Sequence, residues 1–129
     1  MAQWAFDAGS SARTHSQFLE IGGPNGLCSI SLLESAILHR LGRLELTGSL
    51  DEFFAAALSA DVQVLELTPA IASKTSALPE QFHGDPFDRT IVATAAVLKL
   101  TLITADPAIR DAKLCPVEYY PFRPSRSGK

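Results

Sequence analysis

The chain has 129 residues, 47% of them hydrophobic and 19% charged, which fits one folded domain and excludes a disordered chain. Its formal net charge of −3 argues mildly against a nucleic-acid-binding protein, although a carboxylate cluster at a metal site would also add negative charge. Cys28 and Cys115 form no C-x-x-C pair, and neither a signal peptide nor a long apolar run is visible, so we expect reduced thiols and a cytoplasmic protein that does not cross a membrane.

The first half of the chain predicts alternating strands and helices. Residues 1–10 are ambiguous, with a possible short strand that ends at Asp7. Residues 11–20 predict a helix, because apolar side chains recur on one side and a glycine-rich turn follows. The next predicted elements are a strand at 27–30, a helix at 31–41, a helix at 50–60, a strand at 62–67 and a helix at 68–77.

The second half is organised around one helix with a well-defined start. Gly84 breaks the preceding loop, Asp85 is a good N-cap and Pro86 suits the first helical position. A helix is therefore predicted from residue 86 to about 98. After it we predict a strand at 100–104, a helix opened by Asp106-Pro107 that ends near 112, a strand at 117–120 and a flexible basic tail at 121–129.

Strands that alternate with helices predict an α/β fold. We expect a three-layer α/β/α arrangement around a mostly parallel central sheet, as a single domain over residues 1–120. In such sheets ligands bind beyond the carboxyl ends of the strands, where helices begin. Glu34, Asp88 and Asp106 all fall near strand ends or helix starts, so we expect them to reach the same edge of the sheet.

Each of these acids also has a local structural interpretation. Ser31 and Glu34 have the spacing of a capping box, Asp106 is a good N-cap, and Asp88 complements the helix dipole. Three carboxylates in one crevice would instead repel one another, and a divalent cation would relieve that repulsion. Oxygen ligands without a His or Cys cluster favour Mg²⁺ or Mn²⁺. The residues therefore suggest metal-dependent phosphodiester hydrolysis with water as the nucleophile.

Three ordered segments resemble the PIN-domain nucleases, in particular the VapC-like toxins of bacterial toxin–antitoxin pairs. The segments are Ser29–Leu44, His83–Leu98 and Leu102–Asp106. The resemblance implies an endoribonuclease that uses Mg²⁺ or Mn²⁺, with Glu34, Asp88 and Asp106 as the second, third and fourth acids of its catalytic and metal-binding cluster. It also implies an RNA substrate, a cognate antitoxin as partner and, in many members, a homodimer.

The start of the chain departs from the family pattern. PIN domains open with an apolar strand that ends in Asp and is followed by a helix, and here both are missing or compressed into residues 1–10. Asp7 is a possible stand-in for the first acid and so a further metal ligand. Thr104 matches a hydroxyl often found beside the last acid, and it also has a purely structural interpretation at the end of a strand.

Basic residues in the body of the chain are few. His39, Arg40 and Arg43 form one cluster, which is either a solvated helix face or a contact for the RNA backbone. Arg89 is interpreted either as a first-turn salt bridge with Asp85 or as a phosphate contact.

Three functional hypotheses follow from these patterns. The leading one is a VapC-like ribonuclease toxin held inactive by an antitoxin. The alternative is a catalytically impaired PIN-like module that binds an antitoxin or RNA without cleaving. A flavodoxin-like or nucleotide-binding domain is the third, and the absence of a glycine-rich phosphate loop argues against it.

Overall fold

A computed structural model of the protein describes residues 17–21, 25–58, 62–82 and 84–121. Asp7, the first six residues of the helix predicted at 11–20, and nearly all of the predicted tail lie outside them. The strands within the described residues are β1 (Phe18–Glu20), β2 (Asn25–Cys28), β3 (Val62–Leu65), β4 (Thr101–Thr104) and β5 (Val117–Tyr119). The helices there are α1 (Ser29–Arg40), α2 (Leu50–Leu58), α3 (Pro69–Ala77), α4 (Pro86–Leu98) and α5 (Pro107–Ala112).

The strands form one sheet in the order β3-β2-β1-β4-β5. β2 pairs with β3 in parallel and β4 pairs with β5 in parallel, whereas β1 lies antiparallel between β2 and β4. Because β2 and β4 both run opposite to β1, the four strands other than β1 run in the same direction. Their last residues define one side of the sheet, which we call the carboxyl edge. These residues are Cys28, Leu65, Thr104 and Tyr119.

The helix predicted at 11–20 is wrong for its last three residues, which form β1. Phe18 pairs with Ile103 of β4, and Leu19 pairs with Gly26 of β2. Phe18 and Leu19 are 3% and 1% exposed and join different hydrophobic clusters. Successive residues of a strand point to opposite faces, so a strand buries both of them between two layers of helices.

Helices cover both faces of the sheet, which confirms the predicted three-layer α/β/α arrangement. One face carries Leu19, Cys28 and Leu102, and these pack with buried side chains of α3, α4 and α5. The other face carries Phe18 and Leu27, which pack with α2. The helix side chains in the first cluster are Ile71, Ile91, Val92, Ala93, Ala95 and Ile109. No helix in the described part of the chain has the length and apolar character that crossing a membrane requires.

Helix α1 begins two residues earlier than predicted, and this overturns the expected capping box. Its N-cap is Cys28, which makes no side-chain capping bond within the described residues, so Ser31 and Glu34 lie inside the helix. A capping box does form at α2. There the amide of Ser49 donates to Glu52 Oε1 at 2.9 Å, and the amide of Glu52 donates to Ser49 Oγ at 3.0 Å. Capping therefore does not explain the burial of Glu34.

Helix α4 begins as predicted and also fixes the segment before it. The carboxylate of Asp85 accepts a hydrogen bond from the amide of Phe87 at 2.8 Å, which confirms Asp85 as the N-cap. The guanidinium of Arg89 donates to four main-chain carbonyl oxygens at the end of α3 and in the loop after it. They belong to Thr75 (2.9 Å), Leu78 (3.1 Å), Pro79 (3.3 Å) and Phe82 (3.0 Å). Arg89 thus ties the first turn of α4 to the end of α3.

Replacing Arg89 with Met keeps the aliphatic stem but removes this donor from four carbonyl oxygens. We expect the free energy of unfolding to fall by about 2–3 kcal/mol, since hydrogen bonds from a charged donor contribute more than neutral ones. Urea unfolding followed by circular dichroism measures the change. The matched control is Arg40→Met, at an exposed position near the end of α1, which should change stability by less than about 0.5 kcal/mol. An equally small loss for Arg89→Met would contradict the structural role.

Candidate active site at the carboxyl edge

Asp88 lies in the first turn of α4 and is 1% exposed. Because α4 leads into the start of β4, its own first turn lies at the carboxyl edge. Asp85 already caps this helix, so Asp88 is not needed for capping. Asp88 precedes Ile91 and Val92 by three and four residues, and both of these are buried against the sheet. Helical spacing therefore places Asp88 on the inward face of α4, one turn nearer the carboxyl edge.

Glu34 lies in the second turn of α1, which starts directly at the end of β2. It is 6% exposed. Helix α1 packs against α4, and the thiol of Cys28 at the start of α1 makes a hydrogen bond with the side chain of Thr94 on α4. Glu34 and Asp88 are thus buried acids on two helices that lie against each other.

Asp106 follows β4 by two residues and is 6% exposed. Its carboxylate accepts a hydrogen bond from the amide of Ala108 at 2.9 Å, so its predicted role as an N-cap is confirmed. The amide of Asp106 in turn donates to Thr104 Oγ1 at 3.1 Å, and Thr104 is fully buried. Thr104 therefore fixes the main chain that carries Asp106, which is a positioning role.

The topology places all three acids at the same edge and buries each of them. Carboxylate oxygens are the donors that Mg²⁺ and Mn²⁺ prefer, so their chemistry fits a hard divalent cation. Across residues 17–21, 25–58, 62–82 and 84–121, however, no three His, Cys, Asp or Glu side chains are grouped closely enough to hold an ion by themselves. Asp7 lies outside these residues. Carboxylates of the described residues therefore do not complete a metal site on their own.

Two further polar side chains are buried near this edge. Gln17 is 2% exposed and Ser31 is 4% exposed. Within the described residues, neither the amide atoms of Gln17 nor the hydroxyl of Ser31 has a hydrogen-bond partner. Sequence reasoning missed both, because it placed Gln17 in the helix predicted at 11–20 and Ser31 in a capping box. The signal for Gln17 was its position directly before the apolar pair Phe18-Leu19.

The basic residues lie at different places around the site. Arg40 and Arg43 are exposed at and just beyond the end of α1. Arg40 is six residues after Glu34, a distance of about 9 Å along the helix axis. The guanidinium of Arg89 instead donates to main-chain carbonyls, as described above, and its predicted contact with RNA stays a prediction.

A surface cavity of about 560 Å³ lies elsewhere, beside α2. Its polar lining includes Glu45, Ser49 and Glu52, and none of the three acids at the carboxyl edge lines it. Glu52 in this lining belongs to the capping box of α2.

Neither cysteine is suited to act as a nucleophile. Burial raises the pKa of Cys28 to about 11, although its hydrogen bond with Thr94 works in the opposite direction. Burial also raises the pKa of Cys115 to about 11. Both are therefore neutral thiols near pH 7, and the thiolate is the nucleophilic form.

Comparison with known proteins identifies the family. The chain matches the PIN domain family over residues 4–114 and belongs to it. It is a VapC-like member: it is 31% identical over 107 residues to Ribonuclease VapC22 of Mycobacterium tuberculosis (strain ATCC 25618 / H37Rv). The aligned part is 83% of this chain and 82% of that protein. The resemblance found in the sequence is confirmed, and Asp7 lies within the matched range.

Alkylation by iodoacetamide tests the burial of the two thiols. With a pKa of about 11, the thiolate fraction at pH 8 is on the order of 100-fold below that of an exposed cysteine. We therefore expect slow labelling of Cys28 and Cys115 in the folded protein, with rates that rise about tenfold per pH unit from pH 8 to pH 10. Peptide mass spectrometry measures each site, and the chain unfolded in urea is the control. Equal rates in the folded and unfolded chain at pH 8 would show that the thiols are not buried.

Proposed function

We propose that this protein is a Mg²⁺- or Mn²⁺-dependent endoribonuclease and the toxin of a type II toxin–antitoxin pair. Membership of the PIN domain family and the similarity to a protein named as a ribonuclease support nuclease activity. The observation that carries the proposal is the burial of Asp88 on a helix that Asp85 already caps. A buried acid that does not cap its helix, at the sheet edge where two other buried acids also lie, supports metal binding.

The residues at the carboxyl edge have distinct roles in this proposal. Glu34, Asp88 and Asp106 would hold the ion, and an ion bound there activates water and stabilises charge on a phosphoryl oxygen. Burial of the acids keeps bulk water away and strengthens their interaction with a cation. Thr104 holds the main chain of Asp106, so that this carboxylate is presented from a fixed position. Asp7 is an additional ligand in the proposal, at the position of the first acid.

We propose that the RNA backbone contacts Arg40 and Arg43. Both side chains are exposed, and Arg40 at the end of α1 lies about 1.7 helical turns after Glu34. The net charge of −3 means that the protein as a whole does not attract RNA, so a local group of basic side chains is needed for binding. Binding of RNA should therefore weaken when either of these two side chains is removed.

The proposed partner is an antitoxin that covers the carboxyl edge. A site with three acids attracts a basic side chain, and an Arg of the antitoxin entering it would compete with the metal ion. The toxin would then act in the cytoplasm when the antitoxin is lost.

A second candidate function is a PIN module that binds an antitoxin or RNA without cleaving it. One observation favours it: the carboxylates of the described residues do not form a ready-made metal site. Cleavage of RNA in Mg²⁺ or Mn²⁺ separates the two candidates. The nuclease cleaves and the impaired module does not, while both bind the antitoxin.

The carboxylate of Asp88 is tested by Asp88→Asn, which removes its charge with little change in shape. We expect the rate of RNA cleavage to fall about 100-fold or more, since even residues that only orient a metal ligand contribute 10–100-fold. The matched control is Asp85→Asn on the same helix turn. Asn is as good an N-cap as Asp, so this variant should keep its activity within about twofold. A fluorogenic RNA measures both rates, and equal activity of the two variants would overturn the role of Asp88.

The RNA contact is tested by Arg40→Gln and Arg43→Gln. We expect each to lower the slope of log K against log salt concentration by about 0.7, the value for one phosphate contact on a single strand. Fluorescence anisotropy with a labelled RNA in EDTA measures binding without cleavage. Arg110→Gln is the control, because Arg110 pairs with Asp111 and lies over the ring of Tyr119. An unchanged salt slope in both α1 variants would contradict the proposed contact.

A further inference from the structure

Gln17 lies immediately before β1, the central strand of the sheet. Phe18 pairs with Ile103, so the same register continued by one residue places Gln17 beside Thr104 of β4. On the other side Leu19 pairs with Gly26, and the register continued by two residues places Gln17 beside Cys28 of β2. Thr104 and Cys28 each end their strand. Because β1 is antiparallel, it is the amino end of this strand that reaches the carboxyl edge.

The side chain of Gln17 lies on the face of the sheet that α4 covers. Leu19 belongs to the cluster that contains Cys28, Leu102 and the buried side chains of α4. Residues two apart in an extended segment point to the same face, so Gln17 shares the face of Leu19. The first turn of α4, which carries Asp88, covers this face at the same edge.

Gln17 is a buried amide that has no hydrogen-bond partner among the described residues. It is 2% exposed, and in the described part of the chain neither its Oε1 nor its Nε2 makes a hydrogen bond. Burying an unpaired amide is costly, and such groups in folded proteins are rare. The hydroxyl of Ser31, three residues after Cys28, is also buried and also has no hydrogen-bond partner among the described residues. Both groups lie near the carboxyl edge, where a bound ligand would satisfy a buried polar atom.

We propose that Gln17 Oε1 is a neutral ligand of the divalent cation at the carboxyl edge. This inference rests on the proposed metal-dependent function, because it concerns the same ion. An amide carbonyl oxygen is an accepted ligand for hard cations, and the amide nitrogen can donate to a neighbouring carboxylate. Gln17 thus adds an oxygen donor to acids that do not complete a site among themselves. A neutral donor adds no negative charge, so the ion binds more weakly than with a carboxylate at this position.

Loss of the Gln17 amide should change the stability of the ion-free protein and its affinity for the ion in opposite directions. Replacing Gln17 with Leu removes an unpaired amide from a buried position, so the ion-free protein becomes more stable. The same replacement removes an oxygen ligand, so the ion binds less tightly. A purely structural Gln17 would give a different result, because its loss would lower stability and leave ion binding unchanged.

The experiment measures Mn²⁺ binding to the full chain by calorimetry and the melting temperature of the ion-free protein. For Gln17→Leu we expect Mn²⁺ affinity to fall about tenfold or more. We expect the ion-free melting temperature to rise by about 3 °C or more. For Gln17→Glu we expect tighter Mn²⁺ binding than in the wild type, because ligand charge raises affinity. Gln63→Leu is the control, since Gln63 is exposed on β3, and it should bind Mn²⁺ as the wild type does.

The outcomes separate this inference from the function on which it rests. If the wild type binds Mn²⁺ and Gln17→Leu binds it equally well, the role of Gln17 is wrong and the acid site stands. If Gln17→Leu does not fold, Gln17→Glu decides, and unchanged or weaker Mn²⁺ binding by that variant overturns the inference. If the wild type binds no Mn²⁺, the proposed metal site fails, and the role of Gln17 fails with it.

Discussion

The pairing of β1 with two neighbours holds the sheet of this protein together. β2–β3 and β4–β5 are parallel pairs, and β1 joins them through hydrogen bonds on both of its sides. Its three residues, Phe18–Glu20, include two that are almost completely buried, one on each face. The same pairing sets the direction of the other four strands. Because β2 and β4 are both antiparallel to β1, the starts of α1 and α5 lie at one edge.

The functional consequence of this pairing is the burial of three acids near that edge. Glu34 lies in α1, the helix after β2, and Asp106 lies in the turn after β4. Asp88 lies in the first turn of α4, whose buried side chains pack on the sheet. Buried carboxylates in one region repel one another unless a cation or a basic group lies between them. A metal ion and an antitoxin arginine would satisfy the same electrostatic need, which links the proposed catalysis to the proposed inhibition.

The sequence predicted well the helices that begin with a capping residue followed by proline. Thr68-Pro69 opens α3 and Asp85-Pro86 opens α4, each with the cap that the residue types indicate. The strand β1 was not predictable in the same way. A short apolar segment fits a helix or a strand equally well, and what decides is pairing with residues 101–103, which are more than 80 positions away. Tertiary burial on two faces outweighs the local pattern there.

The sequence predicted the acids of the candidate site but not its buried neutral side chain. Glu34, Asp88 and Asp106 stand in recognisable segments, and their placement near one edge follows from an α/β fold. The capping box at Ser31 was wrong because its spacing alone does not say where the helix begins, whereas Ser49 and Glu52 have the same spacing and do form one. Gln17 carries only a weak local signal, its position directly before Phe18-Leu19, because its burial depends on the antiparallel strand that follows it.

The most direct test of a shared ion site is paramagnetic broadening of backbone amide signals by Mn²⁺ at substoichiometric concentration, in protein labelled with ¹⁵N. An ion held at the carboxyl edge broadens the amides of Glu34, Asp88 and Asp106 first. Broadening that is centred instead on Glu45 and Glu52 beside α2, or that is uniform over the surface, would contradict metal binding by the three buried acids.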